Sequence, residues 1–220
     1  MIDDDGYHAL RHAIASGELL PSERLVEEDL ARRLGVGRAG VRMALVRLEH
    51  DGLVERERNR GARVRRVSEA EAVEILEVRA ALESLAARKA AARATPKDVR
   101  ELRGILREMR AKRERGDLMA VSDANAGLHR RILEISGHET ARRLSATLIS
   151  QIVRFQYRTV LLPGRPERSD REHTAIVDAI AAGDAEGAER AMRRHLSHVA
   201  EALRQRTDAV GERGIGRHTG

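Results

Sequence analysis

The spacing of apolar residues changes its period only once along this chain, in residues 53–66, and is helical on both sides. These residues alternate apolar side chains with arginine and glutamate around Asn59-Arg60-Gly61, which is typical of a β-hairpin. Three helices are predicted before the hairpin, and the last two, at residues 26–34 and 38–50, are joined by Gly35-Val36-Gly37. Three helices followed directly by a basic hairpin predict a winged helix-turn-helix domain, with the hairpin as its wing.

The rest of the chain has no strand pattern and predicts a bundle of antiparallel helices. Six helices are expected, one of them continuous over residues 139–162, with breaks at Thr95-Pro96, Gly116-Asp117, Ser136-Gly137, Pro163-Gly164 and Gly183-Asp184. The predicted fold class is therefore mainly α. It has a winged helix-turn-helix domain at residues 1–67 with a small β-hairpin wing, an all-α antiparallel helical bundle at 68–206, and a disordered tail at 207–220.

Composition limits the class of protein. Aromatic residues make up 1% of the chain and cysteine is missing, so we expect an aliphatic core without disulfides or thiolate metal sites. No stretch reaches the roughly 18 apolar residues of a membrane span. The acidic start of the chain is unlike a signal peptide. We therefore expect a cytoplasmic protein without a membrane partner.

Positive charge is concentrated in residues 30–66, where eleven arginines outnumber four acidic residues, a difference of +7. Such a segment suits the phosphates of double-stranded DNA and predicts salt-sensitive binding. Arg38 and Arg42 lie one turn apart at the start of the predicted helix 38–50, off its apolar stripe, as in a recognition helix. The alternative is an ordinary helical hairpin with a solvated arginine face, and the basic hairpin behind it favours DNA. The candidate DNA-binding arginines are Arg38, Arg42, Arg47, Arg58 and Arg60.

Three histidines fall on core-facing stripes of different predicted helices: His129, His173 and His195. Each alone would be interpreted as an ordinary buried histidine. Three neutral imidazoles in an apolar bundle need partners for their ring nitrogens, and a divalent metal ion would supply a shared one, with Asn125 or water completing the shell. His198 is an alternative to His195. Three histidines and a water on zinc would also suit a hydrolase, but no carboxylate is predicted as a general base on the same faces.

The sequence resembles a known family in both halves. The first half is similar to the N-terminal part of GntR-family bacterial transcription regulators. The segment that carries this similarity is SGELLPSERLVEEDLARRLGVGRAGVRMALVRLEHDGLVERERNRGARV. The second half resembles the FCD subgroup, which is named for the FadR C-terminal domain. Three segments carry this resemblance: EILEVRAALESLAARKAA, NAGLHRRILEISG and REHTAIVDAIAAGDAEGAERAMRRHL. Six helices, rather than seven, resemble the shorter VanR-like branch.

The resemblance implies DNA contacts from Arg38 and Arg42 and from Gly61 of the wing. It implies that Arg79 faces an effector cavity, and we expect Arg154 to bind the effector as well. The implied metal ligands are Asn125, His129, His173 and His195. The chain departs from the family pattern at Gly37-Arg38-Ala39-Gly40-Val41-Arg42, where Ser-Arg-Thr-Pro-Val-Arg is usual, and at Asn125, where aspartate is usual.

The sequence thus predicts a homodimeric transcription regulator, not an enzyme. We expect it to act as a repressor on a double-stranded DNA operator with two-fold symmetry. The expected effector is a small organic acid, and the expected cofactor is a divalent ion of the zinc, nickel or manganese class. Two alternatives stay open: a metal-dependent hydrolase in the helical bundle, and a DNA-binding protein without a ligand.

Overall fold

The structure is a computed structural model that describes residues 2–57 and 61–215, with side chains for 5–56 and 61–204. The chain forms two compact units. The first comprises Met1–Val67 with Ile149–Arg154, and the second comprises Ser68–Leu148 with Phe155–Gly220. Helices dominate both, which confirms the predicted fold class. None of the described helices is long and apolar enough to cross a bilayer.

The first unit is a winged helix-turn-helix. Its elements are α1 Ile2–Ser16, β1 Arg24–Leu25, α2 Glu27–Leu34, α3 Arg38–His50, β2 Val54–Glu57 and β3 Gly61–Val64. The strands form an antiparallel sheet in the order β1-β3-β2, with Val54 opposite Val64 in the hairpin. The predicted hairpin is therefore present, and β1 adds an edge strand that the sequence analysis missed. Two residues are too few to produce a period-two pattern.

The position of α3 is fixed by its apolar stripe. Val41, Leu45 and Leu48 are almost fully buried, and Leu10 and Ile14 of α1 are buried in the same unit. Gly35 ends α2 in the left-handed region at φ 66°, where a side chain would be strained, and this lets α3 begin three residues later. Because the stripe faces inward, the opposite face of α3 remains exposed to solvent.

The second unit is helical. It contains α4 Glu69–Ala91, α5 Pro96–Glu114, α6 Leu118–Ser136, α7 Glu139–Gln151, α8 Val153–Val160, α9 Arg165–Ala181 and α10 Ala185–Ile215, of which α7 and α8 also supply Ile149–Arg154 to the first unit. Local signals set several starts. The Ser68 hydroxyl accepts from the Glu71 amide to cap α4, and Thr95 and Asp98 form a capping box at α5.

Three sequence predictions for this part of the chain need correction. Residues 68–215 contain seven helices and not six, because the predicted helix 139–162 is divided at Ile152 into α7 and α8. Neither proline nor glycine marks that break, so the sequence carried no signal for it. The VanR-like assignment, which rested on six helices, loses that support. In addition, α10 continues to Ile215 beyond its predicted end near Arg206, and residues 216–220 of the predicted tail lie outside the described residues.

Candidate functional site

Three helices of the second unit bring their histidines together. His129 of α6, His173 of α9 and His195 of α10 are each at most 2% exposed. The Nε2 atoms of His173 and His195 are 3.2 Å apart, and one ring nitrogen from each of the three histidines lies within 4.8 Å of the others. The structure thus places the three predicted ligands at one buried point.

Asn125 belongs to the same place, one turn before His129 on α6. Its Oδ1 atom and the Nε2 atom of His129 are buried, and neither has a hydrogen-bond partner among the described residues. Leaving such atoms without a partner is costly. An amide oxygen and imidazole nitrogens are donors that first-row divalent metals accept, so the residues present fit a metal ion.

Two carboxylates, Glu83 at 1% exposure and Glu172 at 10%, hold the outer sides of the His129 and His195 rings. Glu83 Oε2 is 2.6 Å from His129 Nδ1, and Glu172 Oε2 is 2.8 Å from His195 Nδ1. A carboxylate accepts, so each Nδ1 carries the proton and each Nε2 keeps its lone pair. Glu172 also reaches His198 Nδ1 at 2.7 Å, which ties His198 to the carboxylate and leaves it out of the histidine cluster.

Both carboxylates are paired with arginines. Arg79 Nε donates to Glu83 Oε1 at 2.6 Å, and Arg165 Nη1 donates to Glu172 Oε2 at 2.9 Å. Burial alone would raise the pKa of Glu83, but the charges of Arg79 and His129 and their hydrogen bonds lower it well below its usual value. Neither carboxylate is therefore a free general base of the kind that a hydrolase needs.

The electrostatics of the cluster favour neutral imidazoles. Burial lowers the pKa of His173 well below its usual value, and the charges of the neighbouring histidines and Arg165 lower it further. Burial also lowers the pKa of His195 well below its usual value, and the charges of His129, Arg165 and Arg79 lower it further. A metal ion binds the neutral form of histidine, so His173 and His195 are in the required state near pH 7 without releasing a proton.

A cavity of about 60 Å³ opens beside the cluster. His129, His195 and Asn125 line it, and so do four arginines from three helices: Arg79, Arg110, Arg113 and Arg165. Arg79 therefore lies where the sequence analysis expected it. Arg154 does not line this cavity. It precedes Gln156 of α8 by two positions, about 200° around the helix, and Gln156, Thr159 and Val160 are the residues of α8 that do line it.

The sequence analysis missed Glu83, Glu172, Gln156 and Arg165. A signal existed for the first two. Glu83 shares a buried face of α4 with Arg79, four residues earlier, and a charged pair on an Ala-rich apolar face indicates a buried ion pair. Glu172 directly precedes His173. Gln156 and Arg165 had no comparable signal, because which side of α8 and α9 faces the cavity depends on helix rotation.

In the first unit, α3 presents Arg38 and Arg42 on its exposed face. Arg42 donates from Nε and Nη2 to Glu27 at 3.0–3.3 Å, and Arg38 Nη2 lies 3.5 Å from Glu28. The hydrogen bonds and charge of Arg42 lower the pKa of Glu27. Both arginines are thus held by acidic residues of α2, and a DNA phosphate or base would compete with those residues.

The other predicted DNA-binding residues lie in different surroundings. The guanidinium of Arg47 stacks over the ring of Tyr7, 3.9 Å from its centroid. Gly61 begins β3 at φ 85°, in the left-handed region that favours glycine, so a side chain there would strain the hairpin. Arg58 and Arg60, which the sequence predicts at the tip of the hairpin, lie outside the described residues.

Comparison with protein-family models gives two matches. Residues 4–64 match the model described as bacterial regulatory proteins, gntR family, and residues 74–198 match the FCD domain. The two matched segments follow the two units of the structure and together cover most of the chain.

Among similar curated proteins, the HTH-type transcriptional repressor RspR of Escherichia coli K12 is 29% identical over 199 residues, which cover 90% of this chain and 87% of that protein. A probable D-xylose utilization operon transcriptional repressor of Paenarthrobacter nicotinovorans is 32% identical over 187 residues, which cover 84% of this chain and 80% of that protein. Both names are those of transcription regulators and not of enzymes. The structure of E. coli McbR/YncC aligns at a TM-score of 0.82 and 22% identity over 94% of this chain and 99% of that one, so the two share a fold.

Proposed function

The chain belongs to the gntR family of bacterial regulatory proteins and carries an FCD domain, and we propose that it is a repressor whose DNA binding is controlled by a small organic acid bound beside a metal ion. As a family member it is a transcription regulator with a DNA-binding winged helix-turn-helix. The effector, the metal, the direction of regulation and the homodimer are the parts that we propose.

One observation carries the sensing proposal. Three buried imidazoles each bring one ring nitrogen to one point beside the cavity, and the Oδ1 atom of Asn125, on the same helix as His129, has no partner among the described residues. Asn125, His129, His173 and His195 would hold the metal ion. When bound, such an ion supplies a positive charge with an open position for an anionic oxygen. Zinc, nickel and manganese all accept this set of nitrogen and oxygen ligands.

The cavity has the charge that a carboxylate needs. Four arginines and one carboxylate, Asp170, are among its lining residues. Arg110 donates to Asp170 at 2.7 Å and to Thr174 at 2.8 Å, so part of this charge is already paired. Arg79 and Arg165 are also paired, with Glu83 and Glu172, yet their guanidinium groups have further N–H donors that a carboxylate could accept from.

DNA binding is proposed to depend on Arg38 and Arg42 of α3, supported by the wing. Two copies of the chain would place two such helices on one operator with two-fold symmetry. An effector can release the operator only if it binds the DNA-free conformation more tightly, because a ligand with equal affinity for both conformations shifts nothing. The sign of regulation therefore follows from which conformation the acid-filled cavity stabilises.

The test begins with an operator selected from genomic fragments by the full-length protein. Arg38→Ala and Arg42→Ala should each weaken binding by roughly 5- to 150-fold if they read a base, and should reduce the salt dependence if they contact phosphate. Arg142→Ala is the matched control, since Arg142 lies on α7 in an exposed pair with Glu139. If the Arg38 and Arg42 variants bind the operator as tightly as the parent protein and the Arg142 control, the assignment of α3 is wrong.

The metal and the effector are tested separately. Metal analysis of protein purified without a histidine tag should find about one divalent ion per chain, and His129→Ala should lose it. A screen of organic acids against operator complexes should then find acids that release the DNA. A metal-free protein that ignores every acid would be a ligand-independent DNA-binding protein. Sedimentation of the complex gives the number of chains per operator.

A further inference from the structure

Two buried polar atoms that line the cavity differ in the hydrogen bond they need. Nη2 of Arg165 is a donor, Oε1 of Gln156 is an acceptor, and neither has a partner among the described residues. Both residues are more than nine-tenths buried, at 8% and 7% exposure. A buried polar atom without a partner is disfavoured, so each atom indicates a group that the protein itself does not supply.

The surroundings fix what each atom can bind. Arg165 uses Nη1 for Glu172, so its orientation is set and Nη2 remains for an anion. On α8, the Gln156 backbone oxygen accepts from the Thr159 hydroxyl at 2.8 Å, while no hydrogen bond holds the Gln156 Oε1 atom within the described structure. A carboxylate can satisfy Arg165, but it has no proton to donate to an amide oxygen.

We infer that the effector is a hydroxycarboxylic acid, whose carboxylate is bound by Arg165 and whose hydroxyl is bound by Gln156. A hydroxyl can donate its proton to the Oε1 atom of Gln156, which a carboxylate cannot do. This inference rests on the proposed function, because it concerns the effector of the same cavity, and it narrows organic acids to those that also carry a hydroxyl group.

The charge of the cavity separates a hydroxyl from an amine. An ammonium group could also donate to Gln156, but it would lie among Arg79, Arg110, Arg113 and Arg165, with Asp170 as the acidic lining residue. Like charges at this range repel, and Asp170 is already paired with Arg110. Amino acids are therefore disfavoured, although they have the same shape as the hydroxy acids.

The size of the cavity favours a short acid. A volume of about 60 Å³ corresponds to roughly two water molecules at about 30 Å³ each. Such a volume suits an acid of few atoms, in which the hydroxyl lies close to the carboxylate. Long-chain acids would require the lining residues to move.

The experiment uses the full-length, metal-loaded protein and matched triplets of acids. Glycolate, acetate and glycine form one triplet, lactate, propionate and alanine a second, and 2-hydroxybutyrate, butyrate and 2-aminobutyrate a third. Calorimetry should show the hydroxy acid binding roughly 5- to 150-fold more tightly than the unsubstituted acid of the same triplet, which leaves Gln156 unsatisfied. The amino acid should bind most weakly.

Two variants assign the preference to its residues. Gln156→Met keeps the length of the side chain and removes its hydrogen bond, so the ratio of lactate affinity to propionate affinity should fall to about one. Arg165→Lys keeps a positive charge near Glu172 but lacks Nη2, so it should weaken lactate and propionate by the same factor. Thermal unfolding without ligand shows whether each variant is folded.

The outcomes separate this inference from the function it rests on. If unsubstituted acids bind as tightly as hydroxy acids and release the operator, the hydroxyl assignment is wrong and acid sensing stands. A hydroxyl preference that survives in Gln156→Met also overturns the assignment. If no acid of the three triplets binds, both the hydroxy-acid effector and the proposed sensing of small acids are wrong, and DNA binding alone remains.

Discussion

Replacing Glu83 with glutamine tests the buried network that supports the histidine cluster. Glu83 is 1% exposed and accepts from Arg79 and His129, both at 2.6 Å. Glutamine has the same size but only one acceptor atom. If that oxygen stays with Arg79, the amide NH₂ meets His129 Nδ1, which must then accept. The ring proton moves to Nε2, and His129 can no longer donate a lone pair to a metal ion.

The size of the effect follows from burial. The variant leaves the Arg79 charge, 2% exposed, without its counter-ion, and breaking a buried ion pair in this way costs about 3–5 kcal/mol. At roughly 2–4 °C per kcal/mol for a chain of this size, the melting temperature should fall by about 6–20 °C. Groups that orient a metal-binding histidine are worth about 10- to 100-fold in metal affinity, so we expect a loss of at least that size.

The assay compares thermal unfolding of chelator-treated protein with and without zinc, and measures zinc affinity by competition with a chelating dye. Glu77→Gln is the matched control, because Glu77 lies on the same helix in an exposed pair with Arg204 and should change stability by less than about 1 kcal/mol. If the Glu83→Gln variant has the same melting temperature as this control and keeps its zinc affinity, the role assigned to Glu83 is wrong.

Three further predictions follow from other contacts. Glu27→Gln should free Arg42 and tighten operator binding by about 2- to 5-fold, the value of an exposed ion pair, with Glu186→Gln on α10 as a control in binding titrations. The pKa values of His173 and His195 are lowered in the folded state, so the unfolded chain binds more protons once the pH falls below 6.5, the usual histidine value. Metal-free protein should therefore lose up to about 1.4 kcal/mol of stability per pH unit for each histidine below that pH, as urea unfolding between pH 7.5 and 5.5 can measure, and a flat profile would contradict it. Zinc at 100 times its Kd should stabilise the parent by about 2.7 kcal/mol and His129→Ala much less, as thermal melts would reveal.

Local signals in the sequence were sufficient for much of the fold. The bounds of α3 were predicted at residues 38–50 and are observed there, because glycine precedes the helix and an apolar stripe runs along it. Ser68 and Thr95-Pro96 likewise marked the starts of α4 and α5. The division of α7 from α8 was missed because it depends on packing around the buried Ile152 and not on a helix-breaking residue.

The candidate site was predictable only in part, for a similar reason. His129, His173 and His195 stood out because polar residues on apolar stripes are conspicuous in a sequence. Glu83 and Glu172 stood out less, because charged residues are common on helices, and the signal for Glu83 lay in its spacing from Arg79 on an Ala-rich face. Arg154 and Arg165 differ in sequence by no feature that predicts burial, yet Arg165 lines the cavity and Arg154 does not.

These contacts also indicate how an acid in the cavity could affect the whole helical unit. Arg79 of α4 holds Glu83, which holds His129 of α6, while Arg165 of α9 holds Glu172, which holds His195 of α10. Four helices are thus connected to one point by hydrogen bonds between side chains that are at most 10% exposed. Buried charges tolerate few alternative partners, because each broken bond leaves an uncompensated charge. An acid that takes a donor from Arg165 must therefore be accommodated by Glu172 and His195 as well, so binding at the cavity changes the forces between helices and not only at its own surface.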